Sequence, residues 1–154
     1  MSNSPVVAAG HLADRAQAIL DGSLVPPPIA QLIGFRLLAA EPDHAVFELE
    51  TDLARHANPM GTLHGGILCD LADAAMGFAY ASGLADGESF TTLELKINFL
   101  RPVWRTRLTA TARVVQRGRT VGLLECDVTD SQGRLVARAS STCLTLRDAQ
   151  AQGR

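Results

Sequence analysis

The fold is decided by one apolar stretch, GGILCDLADAAMGFAYAS, which spans residues 65–82. Its larger apolar side chains recur every three or four residues, as they do on one face of a helix: Ile67, Leu68, Leu71, Ala75, Phe78 and Ala79. Gly83 follows the stretch, and glycine commonly ends a helix. Eight of its eighteen residues are alanine or glycine, so the helix is slim and has almost no polar face. Such a helix is usually surrounded by protein.

Strand-like alternation occurs on both sides of this helix. Before it, residues 35–40 and 45–51 are predicted to form a hairpin around a turn at 41–44, with Ala45, Phe47 and Leu49 on one face. After it come four runs: 91–100, with Leu93, Leu95, Ile97 and Phe99 on one face; 105–116, with Leu108, Ala110, Ala112 and Val114 inward; 120–129; and 135–146. Short turns predict antiparallel pairing of the later strands. An α+β fold, with an antiparallel sheet wrapped around the long helix, hides that helix most simply.

The N-terminal region is predicted to be an appendage. Residues 11–20 have the apolar spacing of a short helix, and the prolines at 26–28 follow as a stiff linker. A further helical turn is expected at 29–33, before Gly34. The chain is therefore divided into an N-terminal helix and linker at 1–28, one domain at 29–148 and a tail at 149–154.

The composition is that of one soluble domain. The chain has 154 residues, of which 47% are hydrophobic and 19% are charged, and this is enough apolar material for a core. The N-terminus lacks a basic segment followed by an apolar block, and the apolar run at 74–85 is too short to cross a membrane. The three cysteines, Cys69, Cys126 and Cys143, are far apart, which argues against a disulfide framework. The chain is therefore expected to be cytoplasmic and to have no membrane partner.

Charge is distributed unevenly along the chain. The net charge is −2, yet residues 96–119 contain seven basic residues and no acidic residue. A block of this kind indicates an anionic partner, although a solvated strand face explains it equally well. Nucleic acid is not expected as the partner, because the chain as a whole is acidic.

Asp73 is an unusual residue for the middle of an apolar helix. A carboxylate without a partner is costly inside protein, so Asp73 is expected to find a partner, line a cavity or take part in chemistry. Asp70 lies nearer the positive end of the helix and compensates its dipole. At that end, Gly65 and Gly66 let a ligand approach free backbone N–H groups that can hold an oxyanion. A simple glycine turn that starts the helix explains the same two residues.

The spacing of Gly65 and Asp73 predicts a dimer. Eight residues separate them, so roughly 12 Å of helix lies between them. One carbonyl group cannot contact both residues of the same helix. If both act on one bond, the aspartate comes from a second subunit, and two antiparallel helices form two equivalent sites related by a two-fold axis.

Residues 53–64, before the helix, are expected to form a loop, and this loop contains further candidates. His64 is expected to be neutral and to orient the loop, because positive charge is unfavourable at the start of a helix. Asn58 offers an amide to the loop or to a substrate, or forms a turn before Pro59. The other histidines are expected at the surface: His11, His44 and His56. No metal site is expected, since only His64 and Cys69 lie close together in sequence.

Together these residues resemble the hotdog-fold thioesterases of the PaaI-like (phenylacetate-pathway) group. The family pattern is an Asn, a Gly-x-x-His-Gly-Gly run and a Leu-Ala-Asp on the central helix, which correspond here to Asn58, residues 61–66 and residues 71–73. A second family feature, a strand that ends in Phe-Leu-Arg-Pro, corresponds to residues 99–102. The resemblance covers about residues 29–147. It implies the hotdog fold and a homodimer. In this family, two such dimers often associate into a homotetramer.

The resemblance also implies an activity, the hydrolysis of an acyl-CoA thioester. By similarity, the Gly65 N–H would polarise the thioester carbonyl, and the partner subunit's Asp73 would act as nucleophile or as general base on water. Asn58 and His64 would shape the loop and help to hold the carbonyl or the water. A strand hydroxyl would assist, with Thr92 as the first match and Thr91 as the second.

The resemblance gives the basic block a partner, the phosphates of CoA. The candidates for this contact are Lys96, Arg101, Arg117 and Arg119. Gly66 and Met60 are expected to contact substrate, Met60 at the mouth of an acyl pocket near Leu68, Met76 and Phe78, although these three residues are better explained as core. No cofactor is implied, because CoA is part of the substrate.

Other functions of the same fold give different expectations. A non-catalytic module that senses acyl-CoA would bind the thioester without turning it over. A hydratase or dehydratase would need an Asp–His pair, and none is apparent after Asp73 in the sequence. A purely structural dimer gives no reason for Asp73 in an apolar helix.

Overall fold

The computed structural model describes residues 12–152. Its helices and strands follow one another as α1 (Leu12–Leu20), α2 (Pro28–Ile33), β1 (Arg36–Glu41), β2 (His44–Glu50), α3 (Leu53–His56), α4 (Gly65–Ala81), β3 (Ser89–Phe99), β4 (Arg107–Arg117), β5 (Val121–Thr129) and β6 (Leu135–Leu146), with a 3₁₀ turn at Asp148–Gln150. The predicted long helix, hairpin and four later strands are confirmed. His11, the expected first residue of α1, lies outside the described residues.

The strands form one six-stranded sheet that encloses α4. Their order is β1-β2-β4-β5-β6-β3, and every neighbouring pair is antiparallel. Helix α4 packs against all six strands. The predicted α+β hotdog fold, a sheet wrapped around one long helix, is therefore confirmed.

Small side chains on α4 let the sheet come close to the helix. Ala72, Ala75 and Ala79 are fully buried, as are Leu71 and Met76 beside them. The facing strands contribute their own buried apolar residues: Leu108, Ala110, Ala112, Leu124 and Val128. Close packing of this kind gains dispersion contacts along the whole helix. The interior is therefore a single core with α4 at its centre.

One short helix was not predicted. Residues 53–64 were expected to be a loop, but Leu53–His56 forms α3. The Asp52 side chain caps this helix by accepting a hydrogen bond from the Ala54 N–H at 3.0 Å. Four residues are too few for the helical period to be visible in the sequence.

A β-bulge changes which side chains of β3 face the helix. Thr92 pairs with Cys143 and Glu94 pairs with Thr142, so Leu93 is an extra residue. Before the bulge, Phe90 and Thr92 face α4, whereas after it the inward residues are Leu95, Ile97 and Phe99. Leu93 is 54% exposed, so the expectation that it shares the inner face was wrong.

The N-terminal segment packs onto the domain. Helix α1 contacts β1 and α4, and Ala16 is 3% exposed and part of the main core. The division of the chain at residue 28 and the tail at 149–154 stay predictions. Within residues 12–152, no helix has both the length and the apolar character needed to cross a membrane.

Arg117 ties the C-terminal end of α4 to the sheet. Its guanidinium donates to Asp43 Oδ1 at 3.0 Å and to the Tyr80 carbonyl at 2.8 Å, and it lies 4.1 Å from the centroid of the Tyr80 ring. Asp43 belongs to the β1–β2 turn, where it adopts a left-handed φ of 62°. One side chain at the end of β4 therefore joins a helix end, a turn and a ring.

We expect Arg117→Met to lower the free energy of unfolding by about 1–2 kcal/mol. The substitution removes the partly buried guanidinium, and with it the ion pair to Asp43 and the hydrogen bond to the Tyr80 carbonyl. The matched control is Arg113→Met on the same strand, where the ion pair with Glu125 is solvent-exposed. That change should cost about 0.5 kcal/mol or less. Urea denaturation of both variants checks the difference, and equal losses would contradict this role for Arg117.

Candidate active site

The loop before α4 is held by the Asn58 side chain. Its Oδ1 accepts hydrogen bonds from the Met60 N–H at 2.9 Å and the Thr62 N–H at 3.2 Å, and its Nδ2 donates to Thr62 Oγ1 at 2.8 Å. Gly61 completes the turn with a φ of 78°. Met60, at the tip of the turn, is 83% exposed. The amide oxygen and one amide N–H are thus used inside the loop, which matches the turn alternative for Asn58.

His56 supports the same loop from inside the protein. It is 4% exposed, so the expectation that it lies at the surface was wrong. Its Nδ1 accepts from the Asp52 N–H at 3.2 Å, and its carbonyl accepts from the His64 N–H at 2.8 Å. Its buried Nε2 has no partner among the described residues. His44 is half-buried on β2, and His11 lies outside the described residues.

His64 caps helix α4. Its Nδ1 accepts a hydrogen bond from the Gly66 N–H at 2.8 Å, a geometry that requires an unprotonated Nδ1. The Gly66 N–H is therefore occupied. The Gly65 N–H, by contrast, makes no hydrogen bond to any residue between 12 and 152. This donor is at the positive end of the helix dipole, so it is available to an oxygen with partial negative charge.

Gly65 also lies under an aromatic ring. A Cβ atom at this position would be 2.9 Å from Cζ of Phe99, which is too close for an ordinary contact. The glycine therefore lets the ring lie close to the start of the helix and leaves space for a ligand at its N–H, although a Cβ would require only a shift of the half-exposed Phe99 ring.

Asp73 is located two turns further along α4, at the rim of a cleft. Thr92 Oγ1 donates to Asp73 Oδ1 at 3.3 Å, and no Lys, Arg or His of the described chain forms an ion pair with this carboxylate. Desolvation raises the pKa of Asp73; the hydrogen bond from Thr92 opposes this, and the charge of Asp70 adds to it. Desolvation also raises the pKa of Asp70. Asp73 thus combines an accessible carboxylate with an elevated pKa.

The cleft next to Asp73 is mostly apolar. It has a volume of about 370 Å³, and its walls include the rings of Phe47, Phe78 and Phe90, with Thr92 beside the carboxylate. Phe78 was one of three candidate pocket residues, and it does line the cleft. Leu68 and Met76 do not, because they are 3% and 1% exposed in the core. Gly65 is not among the lining residues.

Part of the basic block is neutralised by acidic residues of the first half of the chain and of β5. Arg107 pairs with Glu48 and Glu50, and Arg113 pairs with Glu125. Arg117 is engaged with Asp43 and Tyr80, so the structure does not offer its side chain to a phosphate. Three of the seven basic residues of the block are therefore held in ion pairs within the sheet and its turns.

Four basic residues of the block are placed differently. Lys96 hydrogen-bonds to Asn98 on the same strand. Arg119 is exposed in the β4–β5 turn, near the end of α4 that is roughly 22 Å from Gly65 along the helix axis. Arg101 and Arg105 flank a second cleft of about 320 Å³, together with Arg134.

The structure thus brings the site candidates into two groups. Asn58, His64, Gly65 and Gly66 form one group at the start of α4, and Asp73 and Thr92 form the other. The groups are separated by roughly 12 Å of one straight helix. Within residues 12–152 there is no cluster of three or more His, Cys, Asp or Glu side chains arranged to hold a metal ion.

Sequence reasoning missed one wall of the cleft. Arg15, Ile19, Pro26 and Pro27 belong to the segment that was treated as an appendage, yet all four line the cleft beside Asp73. A signal was present, because Ala16 and Ile19 lie on the apolar face of the predicted helix. What the sequence lacked was any indication of which surface that face covers.

Comparisons with known proteins agree with this geometry. The thioesterase superfamily model matches residues 60–137. The acyl-coenzyme A thioesterase PaaI of Escherichia coli is 34% identical over 110 residues, which cover 70% of this chain and 75% of that protein. A 1,4-dihydroxy-2-naphthoyl-CoA hydrolase of Listeria monocytogenes is 29% identical over 114 residues, covering 74% of this chain and 92% of that protein.

The solved structure of E. coli PaaI has the same architecture. It aligns with a TM-score of 0.76 at 25% identity, covering 90% of this chain and 97% of that chain. The resemblance inferred from the Asn, Gly-Gly and Asp pattern is confirmed by these matches. The chain belongs to the thioesterase superfamily and, within it, to the PaaI-like hotdog thioesterases.

Proposed function

We propose that this protein hydrolyses an acyl-CoA thioester at a site shared by two copies of the chain. The observation that carries the proposal is Asp73, a carboxylate with no basic partner among the described residues, beside Thr92 at the rim of an apolar cleft. Water supplies a hydroxyl group to the acyl carbon and a proton to the sulfur as the C–S bond breaks. The products are a carboxylic acid and CoA.

Each group at the site has a role that its geometry suits. The free Gly65 N–H would hold the thioester oxygen as negative charge develops on it. The partner subunit's Asp73 would attack the acyl carbon or remove a proton from the attacking water. Thr92 would orient that carboxylate. Asn58 and His64, whose side chains bond within the loop, act as positioning residues for the Gly65 N–H.

The edge of the sheet supports a second copy at this site. Strand β3 is one of the two edge strands of the sheet and runs beside α4, with Phe90 near Gly77 and Phe99 on Gly65. Large apolar side chains on β3 and just after it are about half exposed in a single chain: Leu93, Phe99, Leu100 and Trp104. An uncovered apolar edge strand favours pairing with another strand. Pairing of two β3 strands would set two α4 helices side by side.

The position of Arg101 supports a place for the CoA phosphates. Phe99 covers Gly65, and the Leu63 N–H donates to the Val103 carbonyl at 2.8 Å. Arg101 lies between Phe99 and Val103 in the sequence, so its backbone runs close to the helix end that would hold the thioester oxygen. Arg105 lines the same cleft. Two exposed guanidinium groups on one cleft suit phosphate oxygens. The named relatives from E. coli and L. monocytogenes act on CoA thioesters, which supports CoA as the leaving group here.

The first test compares wild type with Asp73→Asn. We expect thiol release from acyl-CoA by wild type and a loss of at least about a hundredfold in kcat for the variant, because the nucleophile or base is gone. Ellman's reagent measures the thiol released from acetyl-, hexanoyl-, phenylacetyl-, hydroxybenzoyl- and dodecanoyl-CoA. The control Asp127→Asn removes a carboxylate that pairs with Arg138 on the outer face of β5 and should keep wild-type turnover. Binding of these thioesters without release by wild type would favour a sensor instead.

A second test distinguishes the effect of removing the Gly65 N–H from the effect of adding a side chain at this position. Gly65→Pro and Gly65→Ala add the same Cβ against Phe99, but only proline removes the N–H. Proline is accepted at the first position of a helix, so the fold should tolerate both to a similar degree. We expect kcat to be about a hundredfold lower for proline than for alanine, as for the loss of one oxyanion donor. Similar rates for the two variants would place the donor elsewhere.

Mixing two inactive variants tests the shared site. A dimer of one Asp73→Asn chain and one Gly65→Pro chain holds one intact site and one doubly defective site. Random reassociation of equal amounts should therefore restore about a quarter of wild-type activity, because half of the dimers are mixed and each has one working site. Native mass spectrometry verifies that mixed dimers form. Mixed dimers that stay inactive would show that both residues act within one chain.

The raised pKa of Asp73 predicts a pH-dependent stability difference. A carboxyl group whose pKa is higher in the folded state favours folding when protonated, so its contribution falls as the pH rises above the ordinary value of 3.8. Asp73→Asn keeps an acceptor for Thr92 but carries no charge. We expect this variant to have a higher Tm than wild type at pH 7 and the same Tm below that ordinary value. A Tm difference that does not change with pH would contradict the prediction.

A further inference from the structure

One wall of the cleft beside Asp73 is formed mainly by residues before residue 29, outside the region 29–147 that carries the family resemblance. The floor of the cleft is α4 and one side is the sheet, while another side is residues 15–30, contributed by α1, the proline linker and α2. Asp73 and residues of this N-terminal wall line the same cleft. A group large enough to fill the cleft beside Asp73 therefore contacts the wall.

The floor of the cleft runs along α4 away from Asp73. The residues that line it, Ala74, Gly77, Phe78 and Ala81, follow the three- and four-residue spacing of one helix face. From Asp73 to Ala81 the floor extends for roughly 12 Å. A Cβ on Gly77 would be 3.4 Å from the Phe90 ring, an ordinary contact distance, so core packing does not demand the glycine here. Its absent side chain leaves the cleft open next to Asp73.

The N-terminal wall is fixed in place. Ala16 anchors α1 in the core, and Ile19 on the same helix is half-buried against it. The linker is tied at both ends, since the Leu24 N–H donates to the Ala18 carbonyl at 2.8 Å and Gln31 Nε2 donates to the Pro26 carbonyl at 2.7 Å. Prolines add stiffness between these two ties. The wall is thus able to set a fixed limit on the depth of the cleft.

The cleft chemistry suits an uncharged occupant. The two arginines of the lining, Arg15 and Arg36, are exposed to water, and Arg36 is already paired with Glu48. Asp70, which also lines the cleft, is exposed and lies one turn of α4 before Asp73. The rest of the lining consists mainly of aliphatic and aromatic side chains. A cleft of about 370 Å³ with this lining fits an aryl or medium-length alkyl group.

We propose that this cleft holds the acyl group of the thioester and that the N-terminal segment, through Ile19, limits how large an acyl group the enzyme accepts. The inference rests on the proposed function, because it takes Asp73 as the reacting group. It makes residues 15–30 a specificity element. The substrate class that follows is an apolar, uncharged acyl group, and Gly77 keeps its entrance open.

The experiment changes the size of one α1 side chain that lines the cleft, and of another α1 side chain that does not. Ile19→Trp fills the cleft at its N-terminal wall, and Ile19→Ala enlarges the cleft there. Gln17→Trp is the matched control, since Gln17 is exposed on α1, outside the cleft lining. The measured quantity is kcat/KM for the largest acyl-CoA that wild type hydrolyses, divided by kcat/KM for acetyl-CoA, from the same acyl-CoA panel.

The expected result is a selective change in this ratio. Ile19→Trp should lower it by at least about tenfold, the scale on which pockets discriminate by size. Ile19→Ala should raise it, and Gln17→Trp should leave it as in wild type. Thermal unfolding shows that each variant is folded, and Ile19→Ala keeps the test decisive if the tryptophan is not accommodated. A ratio that is the same in all four proteins would overturn the inference while leaving the hydrolase proposal intact.

Failure of the proposed function gives a different result. If wild type releases no thiol from any thioester, titration calorimetry with the same acyl-CoAs replaces the rates. Weaker binding of the larger acyl-CoA by Ile19→Trp alone would still support the pocket. Equal affinities in all variants, or no binding by wild type, would overturn it.

Discussion

A helix of seventeen residues with almost no polar face has to be enclosed on nearly every side. Helix α4 meets this need with alanines that let six strands approach it, so the sheet must curl around it rather than lie flat. Its two ends need separate treatment, because the backbone groups there are not satisfied by the helix itself. At the C-terminal end Arg117 takes the Tyr80 carbonyl, while at the N-terminal end His64 takes only one N–H. The Gly65 N–H is therefore left without an acceptor among the described residues.

The straightness of that same helix separates the two halves of the chemistry. A donor at its first residue and a carboxylate at its ninth cannot meet on one bond, since a helix rises by about 1.5 Å per residue. In the proposed dimer, two copies related by a two-fold axis with antiparallel α4 helices would bring each donor to the other's carboxylate. The apolar residues along β3 would then serve association, and the raised pKa of Asp73 would be maintained by the partner that buries it. In this arrangement, the contacts that stabilise the dimer would also assemble the site.

Much of this followed from the sequence because the patterns are long. The period of residues 67–79 and the alternation in 108–114 extend over enough residues to outweigh local noise, and the Asn58, Gly65 and Asp73 spacing carried the resemblance. Short or long-range features did not follow in the same way. Leu53–His56 is a single turn, and the buried His56 is satisfied by the backbone N–H of Asp52, the residue that caps this turn. The partner of Arg117 lies 74 residues away at Asp43. The cleft wall at Ile19 required knowing where α1 docks, and no local pattern contains that information.

The bulge at Leu93 determines more than the exposure of one side chain. Strict alternation along β3 would let Thr92 or Phe99 face α4, but not both, because seven positions separate them. The inserted residue changes the parity between them, so that a hydroxyl reaches Asp73 at one end of the strand and a ring covers Gly65 at the other. Deleting Leu93 would leave six positions between Thr92 and Phe99, so a regular strand would present both of them to α4. When chains of this family are aligned, one gap in this strand therefore decides which residue is compared with the hydroxyl that donates to Asp73.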